Sequence, residues 1–369
     1  MYPNLINTPK IYSGKNCVLD NANIFATYGK KCLIVTSRTA GEKSGALTDV
    51  IKALELNNIG YDIFNKITEN PLVSTVIEGG RFAREIGADF IIGIGGGSPL
   101  DASKAIAICA KNPQYDIDGL YNRKNPSKAL PVILIGTTSG TGSEVTGVSV
   151  LTNDNTMQKK SIGGADCYGA VAFCDAKYTY SMSYDVTVTT ALDAFAHAVE
   201  GFFSTRCTEY AFMYAKMALP LLYKGLKALC ESSKSIPDEK TREELYLGSI
   251  YAGLELNVCG AAFPHTVGYV LTEEFGIPHG KACTAFMPLL LQNAKQTDAE
   301  RFHLFLKCVG ANEIDMISTI KELTNVKIDA TDEPIERWCS RWKDGNKNFD
   351  NSPGGFDYKK AEEAIKNLR

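Results

Sequence analysis

No stretch of the sequence approaches the ~20 apolar residues that a membrane-spanning helix needs, so no such helix is expected. Neither sign of charge is in excess: 39 Lys plus Arg against 42 Asp plus Glu leave a formal net charge of -3, and no segment concentrates one sign. The basic face that nucleic acid or an anionic membrane surface demands is therefore missing. No CxxC pair occurs, and the eleven cysteines stand singly between Cys17 and Cys339. An odd number cannot pair completely within one chain, so reduced thiols in a cytoplasmic setting are expected in place of a disulfide framework. Met1 to Asp20 has neither a basic start leading into an apolar run nor a small-residue cleavage site, and no export signal is expected there. Histidine is scarce, with four in 369 residues, which makes the grouping of those four informative.

A chain of 369 residues exceeds the size at which one hydrophobic core usually stops growing, and two domains are expected. In the first half, short β-branched runs at 32–36, 61–64, 90–94 and 132–136 alternate with amphipathic stretches at 47–56 and 73–86. Strand and helix in alternation point to a parallel sheet covered on both faces. After about Asp175 the β-branched runs give way to Ala/Leu/Glu-rich segments at 186–203, 209–229, 242–258 and 283–294, which read as helices, with Pro288 interrupting the last. The expected division is an α/β domain over 1–176 and an all-α domain over 177–369. The polar stretches 231–240 and 343–355 read as surface loops.

Two loops in the first half carry nucleotide chemistry. The apolar run Phe90–Ile94 enters Gly95-Gly96-Gly97-Ser98, and Pro99 follows near the first-turn position that proline favours in a helix. Glycines let the backbone N–H groups approach a diphosphate, and the helix N-terminus adds partial positive charge. The run 132–136 leads into Thr137-Thr138-Ser139-Gly140-Thr141-Gly142-Ser143. Two such loops leaving the same ends of neighbouring parallel strands form the crevice in which these sheets bind nucleotides, so the first domain is expected to be a Rossmann-like dinucleotide-binding domain.

The second half holds the histidines. Asp193 and His197 are four residues apart in an Ala-rich segment and share one helical face; such a pair is commonly a surface pair or a cap. His265 precedes an apolar helix and could simply pack there, whereas His279 sits in a tight Pro-His-Gly turn that presents its ring. His303, in a mixed helix, is assigned no role. One carboxylate and three imidazoles suit a divalent metal such as Fe(II) or Zn(II).

These residues together carry a family pattern. Asn70-Pro71, GGGSPLDASK at 95–104, TTSGTGSE at 137–144, DAFAHAVE at 193–200 and PHGKA at 278–282 occur in one order, and the chain resembles the iron-containing (group III) alcohol dehydrogenases. The resemblance implies a dehydroquinate synthase-like fold, dinucleotide-binding domain first and helical domain second, with the active site in the cleft between them. It implies a cytoplasmic homodimer that passes a hydride between a nicotinamide dinucleotide and a small alcohol or aldehyde. Asp193, His197, His265 and His279 match the ligands of a metal, Fe(II) with Zn(II) as the alternative, that polarises the substrate oxygen. Asn70, Gly96, Gly97, Ser98, Asp101, Thr137, Thr138, Thr141, Ser143 and Lys160 match its cofactor-binding positions.

Three departures stand out. Many members carry a second histidine where this chain has Tyr269. Many NAD-using members carry an Asp after the first-domain strand at 32–36, where this chain has Ser37-Arg38; a hydroxyl and a guanidinium in place of a carboxylate suit a 2′-phosphate, so NADP(H) is expected over NAD(H). The segment after Asp175 lacks the family's usual proline. The stretch from His265 to Cys283 is most similar to a subgroup that includes phosphonoacetaldehyde reductases. The rival reading is a metal- and NAD-dependent lyase or cyclase of the dehydroquinate synthase type, which usually keeps the histidine replaced here by Tyr269.

Overall fold

The computed structural model describes residues 9–124 and 126–369; the first eight residues of the segment read for an export signal lie outside them. The chain divides into two compact units that meet between Met182 and Ser183. The boundary expected after residue 176 lies slightly earlier, inside a turn whose Tyr178 is buried in the first unit and donates its hydroxyl to Asp49 Oδ2 at 2.8 Å.

The first unit is built on six strands: β1 (Lys10–Ser13), β2 (Lys31–Ser37), β3 (Gly60–Ile67), β4 (Phe90–Gly95), β5 (Val132–Gly136) and β8 (Val171–Cys174). They pair in the order β1-β8-β5-β4-β2-β3, and every pairing is parallel. Because helices cover both faces, β4 and β5 are buried along their whole length and read as continuous apolar runs. Alternate residues feed two cores. Leu33, Val35, Ile91 and Leu134 face one side with the helices Val73–Glu85 and Gly97–Lys111, while Ile34, Ile92, Ile94 and Ile135 face the other with Ala46–Leu56. The edge strand β1 and the four-residue β8 were not expected; both are too short to show a period. A hairpin of β6 (Val148–Thr152) and β7 (Lys159–Gly163) stands apart from the sheet.

The second unit is helical among its described residues. The helices Tyr184–Phe202, Glu209–Glu231 and Glu239–Cys259 match the expected segments within a few residues, and the second continues through Pro220. The segment expected as one helix over 283–294 is two, His279–Thr284 and Met287–Thr297, because Pro288 has no N–H to continue a helix and suits the first turn of a new one. The polar stretch 343–355 is no simple surface loop. Asn351 is fully buried there and donates to the Cys259 and Ala261 carbonyls, while Ser352 Oγ accepts from the Phe263 N–H at 2.9 Å. Among the described residues no helix is long and apolar enough to cross a membrane, and all eleven cysteines are free.

Candidate metal centre and cofactor loops

Parallel register puts the carboxyl ends of β2, β4 and β5 at one edge of the sheet. Thr36 is opposite Ile94, and Gly95 is opposite Gly136. After β2 the chain runs outward to β3 and returns to β4 on the other side of β2, so this edge is the topological switch point at which such sheets bind ligands. Ser37, Gly96, Gly97 and Ser98 all lie on it, and the Thr137 N–H donates to the Gly95 carbonyl at 2.9 Å. The two loops touch. A Cβ on Gly96 would stand 3.0 Å from Thr138 Cγ2, and one on Gly97 would stand 2.7 Å from Thr141 Cγ2. Glycine at these positions lets the two loops approach this closely at the N-terminus of the Gly97–Lys111 helix, an end whose N–H groups could receive an anion.

The other cofactor candidates divide into two sets. Ser98 Oγ accepts the Asn70 N–H at 3.3 Å, with Asn70 held in the left-handed region at φ 55. Asp101 spends both oxygens inside the protein: Oδ1 accepts from Ser143 Oγ at 2.5 Å and Oδ2 from the Val150 N–H at 2.9 Å. The fully buried Lys104 ammonium donates to Ser143 Oγ at 2.8 Å and to the Val148 carbonyl at 2.6 Å. Asp101, Lys104 and Ser143 therefore tie the helix to the second loop and the hairpin. Lys160 lies on that hairpin with its Nζ 4.7 Å from the Tyr121 ring centroid.

In the second unit the Tyr184–Phe202 helix starts at Ser183, whose hydroxyl accepts from the Val186 N–H. Its buried face carries Asp193, His197 and Glu200, at i, i+4 and i+7. His265 enters from the first turn of the helix Phe263–Phe275. That helix ends at Gly276 in the left-handed region, where the Ile277 N–H reaches back to the Leu271 carbonyl, and the chain reverses to start a short helix at His279. Close approach here requires glycine: a Cβ on Gly280 would lie 1.9 Å from the Thr189 carbonyl oxygen of the Asp193 helix.

The result is a cluster in which one donor atom each from Asp193, His265, His279 and Cys283 lies within 4.8 Å of the others. Asp193 Oδ1 and His265 Nε2 are 3.4 Å apart, and His279 Nε2 is 3.9 Å from the same oxygen. The Asp193 and His265 side chains are each 6 % exposed, whereas His279 at 26 % forms the open side. Tyr269 stacks on the His279 ring with centroids 5.4 Å apart. His197 is outside the cluster of four; its ring stacks on His265 with centroids 4.3 Å apart and planes 18° from parallel.

Glu200, to which the sequence reading gave no role, organises the centre. Its Oε1 lies 2.6 Å from His265 Nδ1, and its Oε2 accepts the Ala262 N–H at 2.7 Å, at the start of the helix that carries His265. One carboxylate thus satisfies an orphan helix-end donor and fixes the orientation of the His265 ring. Burial disfavours a charged Asp193, but the neighbouring imidazoles His197, His265 and His279 outweigh it and hold the carboxyl below its ordinary range. Burial likewise works against a charged His265, yet Cys283, Glu200 and Asp193 raise its proton affinity well above normal. Burial raises the Glu200 carboxyl and the Cys283 thiol, and His265 opposes both shifts.

The donor set fits a divalent cation. Asp193 Oδ1 and His265 Nε2 are buried, lie 3.4 Å apart, and have no hydrogen bond among the described residues. Buried polar atoms left so are costly, and a cation between them would satisfy both.

Comparison with known proteins assigns both units to one family. Residues 8–176 match the family model for iron-containing alcohol dehydrogenase, and residues 187–333 match that for the Fe-containing alcohol dehydrogenase family, C-terminal. Long-chain-alcohol dehydrogenase 1 of Geobacillus thermodenitrificans is 32 % identical over 288 residues, 77 % of this chain and 71 % of that protein. The crystal structure of an iron-containing alcohol dehydrogenase from Thermotoga maritima superposes with a TM-score of 0.90 at 31 % identity, covering 100 % of this chain and 99 % of that one. The sulfoacetaldehyde reductase of Bifidobacterium kashiwanohense, solved in complex with NAD+, gives 0.86 at 26 % identity over 100 % and 99 % of the two chains. The two family-model matches and the 32 % identical relative show that this chain belongs to the iron-containing alcohol dehydrogenase family.

Proposed function

We propose that this protein interconverts small aldehydes and alcohols by hydride exchange with NADP(H) in preference to NAD(H), using a divalent metal, iron or in its place zinc, held by Asp193, His265 and His279. The observation that carries this reading is the pair of buried atoms without a hydrogen bond, Asp193 Oδ1 and His265 Nε2, 3.4 Å apart. When bound, the metal supplies Lewis acidity to the substrate oxygen and the nicotinamide supplies or accepts the hydride. Everything else is the work of side chains. Asp193 contributes negative charge, Glu200 orients His265, and His279 stands at the open side with Tyr269 stacked on it. His197, implied by the family resemblance as a further ligand, shares the buried helix face of Asp193 and stacks on the His265 ring. Gly96, Gly97, Ser98, Thr137, Thr138 and Thr141 form the cradle for the diphosphate, and Lys160 reaches from the hairpin as a further cofactor contact. Asp101 and Ser143 act by holding that cradle in shape.

The test is a panel of aldehydes and alcohols run with both dinucleotides after anaerobic reconstitution with Fe(II) or Zn(II). A net change in nicotinamide absorbance is expected. Product formation without net change would assign the protein to the lyase or cyclase class, which recycles its cofactor. The same panel examines cofactor choice. Arg38 is exposed and Ser37 closes β2, so Ser37→Asp should lower kcat/KM with NADP by about 10- to 100-fold, the range expected from repelling a charged phosphate and losing a bond to it. Equal turnover of the parent with NAD and NADP would contradict the preference. Glu200→Gln should lower metal affinity by about 10- to 100-fold through the misoriented His265 ring, as measured by chelator competition. We also expect a cytoplasmic homodimer, for which light scattering should return about twice the chain mass of 40.1 kDa.

A further inference from the structure

We propose that Tyr121 is a positioning residue for the dinucleotide site, its ring holding the Lys160 ammonium at one place on the β6–β7 hairpin; the inference rests on the reading of Lys160 as a cofactor contact. Lys160 Nζ stands 4.7 Å from the Tyr121 ring centroid, inside the ~6 Å within which the electron-rich face of an aromatic ring attracts a cation. Among the described residues Lys160 pairs with no carboxylate. Lys160 is opposite Leu151 across the hairpin and precedes Ile162 by two, and Leu151 and Ile162 are both buried in the core beneath it. Cross-strand partners, and residues two apart on one strand, share a face of the sheet. The Lys160 stem therefore leaves from an apolar face, and its ammonium needs a partner that those neighbours do not provide. The Tyr121 ring is that partner.

The ring is itself held against this rung of the hairpin. Tyr121 closes the short helix Ile117–Tyr121, and its hydroxyl donates at 3.4 Å to the carbonyl of Leu151, the residue directly opposite Lys160. Burial and the Asp154 carboxylate push the phenol up to about 12, so the ring meets the ammonium as a neutral π-system. Two residues on, the Arg123 guanidinium forks onto Asp166, Nε to Oδ2 at 3.0 Å and Nη2 to Oδ1 at 2.9 Å, and it also donates to the Gly163 carbonyl at the end of β7 at 3.1 Å. Both side chains are buried, and a two-pronged pair of this kind fixes geometry. The hairpin is fastened in turn to the cofactor loops: the Val150 N–H donates to Asp101 on the Gly97–Lys111 helix, and the Thr152 hydroxyl to the Asn70 carbonyl. An unheld lysine samples many rotamers, and a ligand that recruits it must order it on binding. Tyr121 does that ordering beforehand, which leaves more of the contact energy for affinity.

The test is a double-mutant cycle on the full chain, read as NADPH affinity by fluorescence titration, with the thermal midpoint of each variant reporting that it folds. Lys160→Met should weaken binding. Tyr121→Leu should weaken it by about 3- to 10-fold, the range a cation–ring contact supplies, and Tyr121→Phe, which keeps the ring, should bind as the parent does. In the Lys160→Met background, Tyr121→Leu should cost nothing further, because there is no longer an ammonium to position. Should Tyr121→Leu fail to fold, the flexible side chain of Tyr121→Met takes its place. An equal loss in both backgrounds would show that Tyr121 only supports the fold, and parental affinity in Tyr121→Leu, or a Leu-sized loss in Tyr121→Phe, would likewise overturn the proposal while Lys160 keeps its role. Parental affinity in Lys160→Met would overturn the cofactor reading of Lys160 and this inference with it.

Discussion

Replacing His265 with alanine is expected to reduce bound metal to background and turnover by about a thousandfold or more, since a Lewis acid supplies several kcal/mol of transition-state stabilisation and each 1.36 kcal/mol is tenfold in rate. The ring holds three positions at once. Its Nε2 is 3.4 Å from Asp193, its Nδ1 is 2.6 Å from Glu200, and its face receives His197. Its removal leaves Asp193 and Glu200 as buried acidic groups without their common partner, and breaking a buried pair in this way typically costs about 3–5 kcal/mol. The thermal midpoint should fall with the metal content. Metal analysis of the folded fraction separates the two effects: a folded variant that keeps one equivalent of metal would contradict the role given to His265.

The second large effect belongs to the other unit and has the opposite signature. Gly97→Val should abolish dinucleotide binding, a loss of at least about 100-fold in affinity or roughly 3 kcal/mol, while metal content stays at the parent's level. Even a single Cβ at this position would lie 2.7 Å from Thr141 Cγ2. The branched side chain must push the Thr137–Ser143 loop away from the helix N-terminus and fill the space where a diphosphate would meet the backbone N–H groups. Fluorescence titration with NADPH, alongside metal analysis, measures both outcomes. Unchanged NADPH affinity would show that the glycine turn is not the phosphate cradle.

Most of the framework was legible because its signals are local. Buried parallel strands read as apolar runs, so β2, β4 and β5 were visible directly. β1 and β8 were not, since four residues cannot establish a period and their place in the sheet is set by pairing across the chain. The long helices showed through composition and period. The latch around Asn351 was hidden because Asn, Gly and Ser carry the same local signal in an exposed turn and in a buried network of side-chain bonds to backbone.

The metal centre was legible in part for the same reason. Asp193 and His197 share a helical face, and the sequence shows that much; it does not show which way each ring turns. Glu200 lies on the same face at i+7 from Asp193, and Cys283 lies four residues after His279. Both spacings were available as signals. Their meaning depended on the Phe263–Phe275 helix placing His265 between them, a tertiary contact without a sequence period.

Anomalous scattering collected at the metal absorption edge, on crystals grown after anaerobic reconstitution with Fe(II), tests the central claim most directly. One peak within bonding distance of Asp193 Oδ1, His265 Nε2 and a His279 ring nitrogen is the predicted result. A peak coordinated by other groups, or crystals of folded protein with no peak at these three side chains, would contradict it.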